Sequence, residues 1–516
     1  MKKVAQQVSE GFQNNFQKIG IIVRCGLVIV ISMLSLFVNA QVSQTFYIDP
    51  TYKGTSSGSI TQPYNTFPAM TSGNKYLIKG GTILILTNNN INYSVDNTTI
   101  GSYGTGLATI QSGIPGRVVY IYGSNNTIRD FNIVITNQSV TAGNTTDGGG
   151  LNINSGSRGY MINIHETGGW RGLIAGNYPN YSGTLVFKNC SVTTTQHDGI
   201  YICNLDSLIA DSISSQNVNI NWKNDIGGDC LQCESVRHVI VNHSYFDHTS
   251  MPGKYCLITN QYYNATVSNS TFKSNLNMAC LYPGGVDVGS SHYTLTNSVL
   301  SGGTNVIQNR CEILTIVNCI LSGSKSIGIE SGDTVYIYNS VFANIDSAIV
   351  AWPNYVKKIQ NTIFYNVKQP ALAVGSIGSN NLFYNSSVTY NTVYNKFLGA
   401  DIILKDPLLN SDFSLKVGSP CIDAGITTSF AYDLINGKRP VGKAYDVGAY
   451  EYAASPVIVV TPTPTPVVIP TPTPVVPTVD SLSIYRNMVK TVIIPGLQNK
   501  NTTKASILIG VQKIVK

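Results

Sequence analysis

The chain repeats one pattern of apolar and polar residues between positions 126 and 384. Each copy is a run of β-branched, aromatic and other apolar residues that leads to a central polar residue, with an apolar residue three places further on, as in LVFKNCSVT and VYIYNSVFA. Such runs are typical of β-strands, and no helical periodicity separates the copies. The central residues are Asp130, Asn163, Asn189, Asp211, His243, Asn269, Asn297, Asn318, Asn339, Asn361 and Asn380. They follow one another at steps of 19 to 33 residues.

A strand-forming pattern that returns at this spacing is the signature of a solenoid. Each strand would stack on the next at about 4.8 Å, and Asn side chains at one position can then hydrogen-bond along the stack. The sequence therefore predicts an all-β fold, a right-handed parallel β-helix of about 11 or 12 coils with a cap at each end.

The two ends of the chain differ in composition from the repeats. Lys2, Lys3 and Lys18 precede an apolar run from 25 to 38, which is followed by Ala40; this order is typical of an export signal. A membrane anchor is the alternative, but the run is shorter than the roughly 20 residues that a span needs. The predicted divisions are an export signal at 1–40, a β-helix domain at 41–452 (N-terminal cap and first strands 41–99, coils 100–404, C-terminal capping segment 405–452), a Pro/Thr linker at 453–479, and a short attachment or sorting tail at 480–516.

The formal charge of +7 comes from the two ends of the chain. Residues 41–452 carry 23 basic and 24 acidic side chains, so the predicted domain is close to neutral. This argues against a nucleic-acid partner, and a surface rich in Asn, Ser, Thr and Tyr suits a polysaccharide or a cell-surface glycan. We expect a secreted or bacterial cell-surface protein, monomeric, with no membrane span once the signal is removed.

Nine cysteines remain after Cys25, and an exported protein could pair them. Cys230, Cys256 and Cys280 each precede Leu at steps of 26 and 24 residues, which places them in one column of the stack. The sequence favours small buried core side chains there over disulfides. Cys230 and Cys233 form a C-x-x-C pair without a second pair or nearby histidines at metal-ligand spacing, which argues against zinc.

The segment from 405 to 452 contains FSLKVGSPCIDAG followed by NGKRPVGKAYDVGAYEY. It resembles the terminal segment of the bacterial exported β-helix proteins called choice-of-anchor Q. The resemblance implies a secreted or surface protein with a pectin-lyase-like fold, without implying a reaction. Asp423, Asp433, Asp446 and Glu451 are possible calcium ligands, but we expect them to hold the terminal turns together with Arg439.

The coils are unequal in length, and the longer steps lie between Asp130 and Asn297. Their extra residues must leave the stack as loops, and loops on one side of a solenoid build binding clefts. All six histidines fall in this part: His165, His197, His238, His243, His248 and His292.

A second column runs through the same coils. Aligning HDGI, GDCL, KYCL and MACL puts Asp198, Asp229, Tyr255 and Ala279 at one position of successive coils. Two carboxylates about 4.8 Å apart repel, which raises one pKa or requires a cation between them, with Ca²⁺ as the candidate. His197 and Lys254 would flank the acids.

Three interpretations of this column stay open. In the first, the acids hold Ca²⁺ or polarise a sugar while Lys254, His197 or Tyr255 removes a proton from a uronate, as β-elimination requires. In the second, they are the acid and base of a glycoside hydrolase, for which a separation of about 5 Å would suit retention. In the third, each Asp caps a turn and the surface only binds glycan.

The run GGDCLQCESVRHVIVNHSYFD resembles a motif of the pectate lyases. On that resemblance Asp229 takes the place of a motif aspartate, and Asn242-His243 that of an Asp-His pair. Asn242 departs from the motif, and the acids expected near 254–260 and a catalytic arginine have no counterpart. His243 also has a structural interpretation, since it replaces a ladder Asn.

Polygalacturonases offer a rival resemblance through Asp198-Gly199-Ile200 and Gly228-Asp229-Cys230. Here Gly228 replaces one of the paired acids, and the family's later GHG and RIK motifs are absent.

Together these features predict a polysaccharide-active protein, best interpreted as a lyase-like enzyme that cleaves a uronate-containing glycan by β-elimination. The alternatives are a non-catalytic glycan-binding or adhesin-type protein and a glycoside hydrolase. The candidate catalytic residues are Asp198, Asp229, Lys254, His197, Tyr255 and His243, with Asp198 and Asp229 as possible Ca²⁺ ligands. The candidate substrate-binding residues are Trp222, Tyr201, Gln232, Asp247, His248 and Tyr282.

Overall fold

A computed structural model describes most of residues 43–453. The gaps within this range are 88–90, 114–117, 137–148, 155–157, 177–182, 221–226, 251–252, 276–278, 286–290, 325, 332, 352–355, 370–375, 387–394 and 398–401. The predicted export signal, the linker beyond Ala453 and the tail lie outside the described residues, as do parts of the long loops predicted between Asp130 and Asn297. Within the described ranges, no helix has the length and hydropathy needed to cross a bilayer.

The described chain is all-β and forms one sheet of 35 strands. The strands are β1 Thr45–Ile48, β2 Lys75–Lys79, β3 Ile83–Leu86, β4 Ile91–Ser94, β5 Thr99–Tyr103, β6 Ala108–Ser112, β7 Val119–Tyr122, β8 Asn126–Ile135, β9 Gly149–Asn154, β10 Arg158–Thr167, β11 Arg171–Gly176, β12 Thr184–Lys188, β13 Ser191–Thr193, β14 Ile200–Asp211, β15 Ser214–Gln216, β16 Leu231–Asn242, β17 Tyr245–His248, β18 Leu257–Asn260, β19 Asn264–Ser268, β20 Thr271–Ser274, β21 Leu281–Pro283, β22 His292–Thr296, β23 Val299–Gly302, β24 Asn305–Asn309, β25 Ile313–Val317, β26 Ile320–Ser322, β27 Ile327–Ser331, β28 Thr334–Tyr338, β29 Val341–Ala351, β30 Val356–Gln360, β31 Ile363–Gln369, β32 Ser376–Ser379, β33 Leu382–Tyr384, β34 Asn395–Phe397 and β35 Ile402–Ile403.

Parallel pairing between successive coils sorts these strands into three faces, which we name A, B and C. Face A stacks β1, β2, β5, the first halves of β8 and β10, β12, the second halves of β14 and β16, β19, β22, β25, β28, β30, β32 and β34. Face B stacks β3, β6, the second halves of β8 and β10, β13, β15, β17, β20, β23, β26, the first part of β29, β31, β33 and β35. Face C stacks β4, β7, β9, β11, the first parts of β14 and β16, β18, β21, β24, β27 and the end of β29.

This arrangement is a parallel β-helix, as the repeat predicted. Face A carries 15 strands, more than the 11 or 12 coils expected. The eleven sequence repeats account for β8 to β32, while β1, β2 and β5 stack before them and β34 after them. The stack therefore begins at Thr45, inside the segment interpreted mainly as a cap.

The central residue of each repeat forms the turn from face A to face B. These residues have φ angles between 47° and 62°, in the left-handed region where Asn is more favourable than other side chains with a Cβ. One prediction is wrong by a residue: Ser212, with φ of 57°, makes this turn, and Asp211 is the last residue of the strand before it. Asp211 pairs with Asn242, the residue before the turn residue His243, so the strand register sets the turn one place later.

The predicted hydrogen-bond ladder is present along this turn. Asn163 Nδ2 donates to Asp130 Oδ1 at 3.1 Å, and Asn189 Nδ2 donates to Asn163 Oδ1 at 2.9 Å. In a late coil, Asn361 Nδ2 donates to Asn339 Oδ1 at 2.9 Å. In these coils the side chain at the turn thus satisfies its neighbour along the axis of the helix.

The interior is a continuous stack of apolar side chains, and most of the cysteines belong to it; Cys203 is partly exposed, and Cys421 packs in a separate apolar cluster. Cys230, Cys256 and Cys280 are fully buried in one column, and all nine cysteines of the described residues are free thiols. The interpretation as small core side chains is confirmed.

Residues 405–452, which we call the C-terminal strap, lie along the side of the late coils. The strap accepts hydrogen bonds from the ladder amides in reverse chain order, so it runs antiparallel to the direction of stacking. The pairs are Asn380 Nδ2 with Ala424 O, Asn361 Nδ2 with Ile426 O, Asn339 Nδ2 with Thr428 Oγ1, Asn318 Nδ2 with Tyr432 O, and Asn297 Nδ2 with Asp433 O, at 2.7 to 3.3 Å.

The first residue of each face B strand points outward, and it changes from polar or aromatic to apolar where the strap begins. In the early coils this outward position is polar or aromatic, with Asn132, His165, Ser191, Ser214, Tyr245 and Thr271 in register. In the late coils it is Val299, Ile320, Val341, Ile363 and Leu382. These late residues pack with Leu415, Cys421 and Leu434 of the strap in a second core, so an outward position of the stack becomes an interior one.

The acids of the strap hold its turns, as predicted. Arg439 Nη1 lies 2.6 Å from Glu451 Oε1, and both side chains are buried. Asp433 accepts backbone N–H bonds from Ile435 and Gly437, and Asp423 accepts them from Lys443 and Ala444.

Candidate functional site at the corner between faces B and C

Asp198, Asp229 and Tyr255 follow one another on successive coils, two residues before face C begins. Ile200 pairs with Leu231 and Leu231 with Leu257, which fixes the register predicted from the sequence. We call this set of residues, together with Arg171 described next, the acid column.

Arg171 continues the acid column one coil earlier and was missed by the sequence reasoning. Leu173 pairs with Ile200, so Arg171 stands opposite Asp198, with its Nε 2.8 Å from Asp198 Oδ2. The sequence does show this position, because WRGL at 170–173 aligns with HDGI at 197–200 in the same way as GDCL at 228–231 does.

Asp198 is fully buried, and both of its oxygens have partners. Oδ1 accepts the backbone N–H of Asp229 at 3.0 Å. Oδ2 faces Arg171 and also lies 3.0 Å from Nδ1 of His197. The charge of this carboxylate is therefore compensated by the guanidinium of Arg171, and the His197 ring lies beside the same oxygen.

Asp229 repeats the same backbone contact one coil further on. Its Oδ1 accepts the N–H of Tyr255 at 2.8 Å, and its side chain is 2% exposed. Burial raises the pKa of Asp229 well above its usual value, and the nearby charge of Asp198 raises it further. This agrees in direction with the repulsion expected between stacked carboxylates, since Asp229 holds its proton more strongly.

The two acids do not fit a calcium site. Ca²⁺ takes about six to eight oxygen ligands, whereas Oδ2 of Asp198 faces the cationic Arg171 and each Oδ1 accepts a backbone N–H. Among the residues that the structure describes, no group of three or more His, Cys, Asp or Glu side chains is placed to hold a metal ion.

Two further aromatic side chains, Trp170 and Tyr201, lie beside the acid column. His197 stacks on Trp170 with ring centroids 5.3 Å apart and an interplanar angle of 24°, and its side chain is 13% exposed. The guanidinium of Arg171 lies over the ring of Tyr201, 4.2 Å from its centroid. Trp170, like Arg171, comes from the coil before Asp198 and was not predicted.

Lys254 and Tyr255 differ in exposure although they are adjacent in the chain. Lys254 is exposed to solvent, while Tyr255 is 8% exposed and donates its hydroxyl to Gln308 Oε1 at 3.2 Å. Burial raises the pKa of Tyr255 to about 12. Its ring packs against Tyr282 at 4.9 Å.

The structure distributes the predicted substrate-binding residues over two faces. Tyr201, Gln232 and Tyr282 occupy one outward column of face C. Asp247 and His248 end a face B strand, where Asp247 accepts the Tyr245 hydroxyl at 2.7 Å and His248 is buried. Trp222 lies outside the described residues.

His243 is not part of this site. It makes the turn between faces A and B, with its side chain 57% exposed and Nδ1 3.1 Å from Asp211 Oδ1. It occupies a rung of the ladder, and the acid column lies at the other end of face B.

No family model and no curated protein matches the chain. Among solved structures, a pectate lyase is similar at 13% identity and TM-score 0.39, over 80% of this chain and 98% of that one. The xylose complex of XylC is similar at 8% identity and TM-score 0.42, over 79% and 98%. A rhamnogalacturonan lyase is similar at 12% identity and TM-score 0.35, over 80% and 97%. At these identities the likeness concerns the fold alone and assigns no activity.

Proposed function

We propose that this protein is a secreted or surface protein that binds an acidic, uronate-containing polysaccharide over the acid column and cleaves it by β-elimination. The observation that carries the proposal is the contact of His197 Nδ1 with the buried Oδ2 of Asp198, at 3.0 Å. A carboxylate oxygen this close to Nδ1 favours the tautomer with the proton on Nδ1, which leaves Nε2 as the proton acceptor.

In this reaction a base removes the proton from the carbon that bears the uronate carboxyl group. The electron pair forms a carbon–carbon double bond, and the glycosidic oxygen leaves and takes up a proton. Negative charge builds up on the carboxyl group as the proton departs, so nearby cations stabilise the transition state. Arg171, 22% exposed and held over Tyr201, and the exposed Lys254 are the cations at this position.

Among the three predicted bases, His197 is favoured. Tyr255 is buried with a pKa near 12, so it stays protonated at neutral pH. Lys254 is exposed to solvent, and its charge acts on Asp229 from a distance rather than through a hydrogen bond. His197 is both partly exposed and oriented by Asp198.

A second candidate function is glycan binding without cleavage, as in an adhesin. It is favoured by a different observation, that Oδ1 of Asp198 and of Asp229 each accept the backbone N–H of the next coil. On this interpretation the acids cap turns, and Tyr201, Gln232 and Tyr282 supply the contact surface.

The test incubates the purified chain with polygalacturonate, alginate and glycosaminoglycans, with added Ca²⁺ and with a chelator, and follows absorbance of the unsaturated product. We expect product from at least one polymer, and a loss of about 10²-fold or more in His197→Gln. The matched control is His238→Gln, an exposed histidine on face A, which should retain full activity.

The outcomes separate the alternatives. New reducing ends without unsaturated product would indicate a glycoside hydrolase. Binding on a glycan array without any product would favour the adhesin. Unchanged turnover in His197→Gln would remove His197 as the base.

A further inference from the structure

A hydrogen-bonded chain of three side chains lies at the turn between faces A and B. Ser191 Oγ is 2.7 Å from Nδ1 of His165, and Nε2 of His165 is 3.1 Å from Oδ1 of Asn163. His165 and Ser191 are register partners at the start of adjacent face B strands, β10 and β13, and both are partly exposed. This group is at the opposite end of face B from the acid column.

The ladder determines the direction of these hydrogen bonds. Asn163 donates its Nδ2 to Asp130 Oδ1, and its Oδ1 accepts from Asn189 Nδ2. Oδ1 of Asn163 is thus an acceptor, so the proton between it and His165 belongs to the imidazole Nε2. Nδ1 is then unprotonated in the neutral ring and accepts the Ser191 hydroxyl proton.

A serine hydroxyl that donates to an imidazole, oriented in turn by an amide oxygen, is the arrangement of an activated nucleophile. Burial lowers the pKa of His165, which keeps the ring neutral and able to take a proton at neutral pH.

The next coils add groups that such a site requires. Ser214 follows Ser191 in register and offers a hydroxyl donor for the oxyanion of an acyl intermediate. Tyr245 follows Ser214, with Lys273 Nζ 5.3 Å from its ring centroid, and supplies a flat surface for the carrier of the acyl group.

We propose that Ser191 is the nucleophile of a second active site, which hydrolyses esters of small carboxylic acids such as O-acetyl groups. Ser191 Oγ attacks the ester carbonyl while its proton passes to His165 Nδ1. The ester C–O bond breaks, and the leaving alcohol takes that proton. Water then attacks the acyl-serine, with His165 as the base, and releases the carboxylic acid and the free serine. The proposal is independent of polysaccharide cleavage at the acid column.

The experiment treats the folded, purified chain with a fluorophosphonate probe and locates the adduct by peptide mass spectrometry. In this reaction Ser Oγ bonds to phosphorus and fluoride leaves. We expect one principal adduct, on Ser191, and hydrolysis of p-nitrophenyl acetate above the rate in buffer. Ser191→Ala should abolish the adduct and the added hydrolysis, and His165→Gln should lower both by about 10²-fold.

Ser301→Ala is the matched control, because Ser301 is a partly exposed serine that faces outward on face B in a later coil. This variant should react with the fluorophosphonate probe and hydrolyse p-nitrophenyl acetate at the rates of the unaltered chain. Thermal unfolding of each variant establishes that the fold is retained. If the unaltered, folded chain gives no adduct at Ser191, or if His165→Gln labels at the same rate, the proposal is overturned.

Discussion

Nε of Arg171 lies 2.8 Å from Oδ2 of Asp198, and this ion pair joins two successive coils beneath the proposed site. Asp198 is fully buried, so loss of the guanidinium would leave a carboxylate without its cation. We expect Arg171→Met to destabilise the fold by about 3 kcal/mol, measured by urea unfolding.

A double-variant cycle tests whether the loss arises from this pair. Asp198→Asn in the Arg171→Met background removes the unpaired charge and should restore part of the stability. If the two single effects simply add, the pair is not coupled and the account of the acid column is wrong.

Glu166 is a buried carboxyl group inside the stack, between Ile133 and Val192, and it is 1% exposed. Burial raises its pKa well above the usual value, and the nearby backbone N–H groups of Gly150 and Leu151 only partly offset this rise. The folded chain therefore keeps this proton at a pH where the unfolded chain has lost it. Its contribution to stability is present below the ordinary glutamate pKa of about 4.3 and is lost as pH rises towards the folded-state pKa.

Glu166→Gln should remove this loss of stability at higher pH. We expect the variant to have the higher melting temperature at about pH 8, with the difference from the unaltered chain shrinking as pH falls towards 5. Glu312→Gln, at an exposed glutamate, is the control and should follow the unaltered chain. A constant difference across this pH range would contradict the assignment of a raised pKa to Glu166.

The repeat was predictable because a β-strand-forming run that ends in a polar residue is a local property of the chain, and its copies recur at similar steps. The strap was not, because its contacts join residues far apart in sequence, such as Asn297 and Asp433 at a sequence separation of 136. Arg171 was missed for a related reason: its coil follows a long, irregular step, so alignment of the column was started one coil too late. The apolar residues that begin the late face B strands were visible in the sequence, but only the strap explains why they face outward.

Val341 and Thr271 occupy the same outward column of face B, one beneath the strap and the other beyond it. Val341 is fully buried against the strap, so Val341→Asp would bury an unpaired charge. We expect a loss of about 4 kcal/mol or more and faster proteolytic cleavage within 405–452. Thr271→Asp, at a partly exposed position, should change stability by less than about 1 kcal/mol. Equal effects at the two positions would mean that the strap does not cover the late coils.

His243 provides the last prediction, because its position separates its structural role from a catalytic one. Its φ of 47° lies in the left-handed region, where Asn is favoured over His, and ten other coils place Asn, Asp or Ser at this turn. His243→Asn should therefore raise the free energy of unfolding by roughly 0.5 kcal/mol, since Asn adopts this φ with less strain, while the ladder bond that Asn269 donates to Asn242 is unchanged. Turnover of any polysaccharide found to be a substrate should not change, because His243 is at the opposite end of face B from His197. A fall of tenfold or more in turnover, with the melting temperature unchanged, would contradict this prediction and indicate a catalytic role for His243.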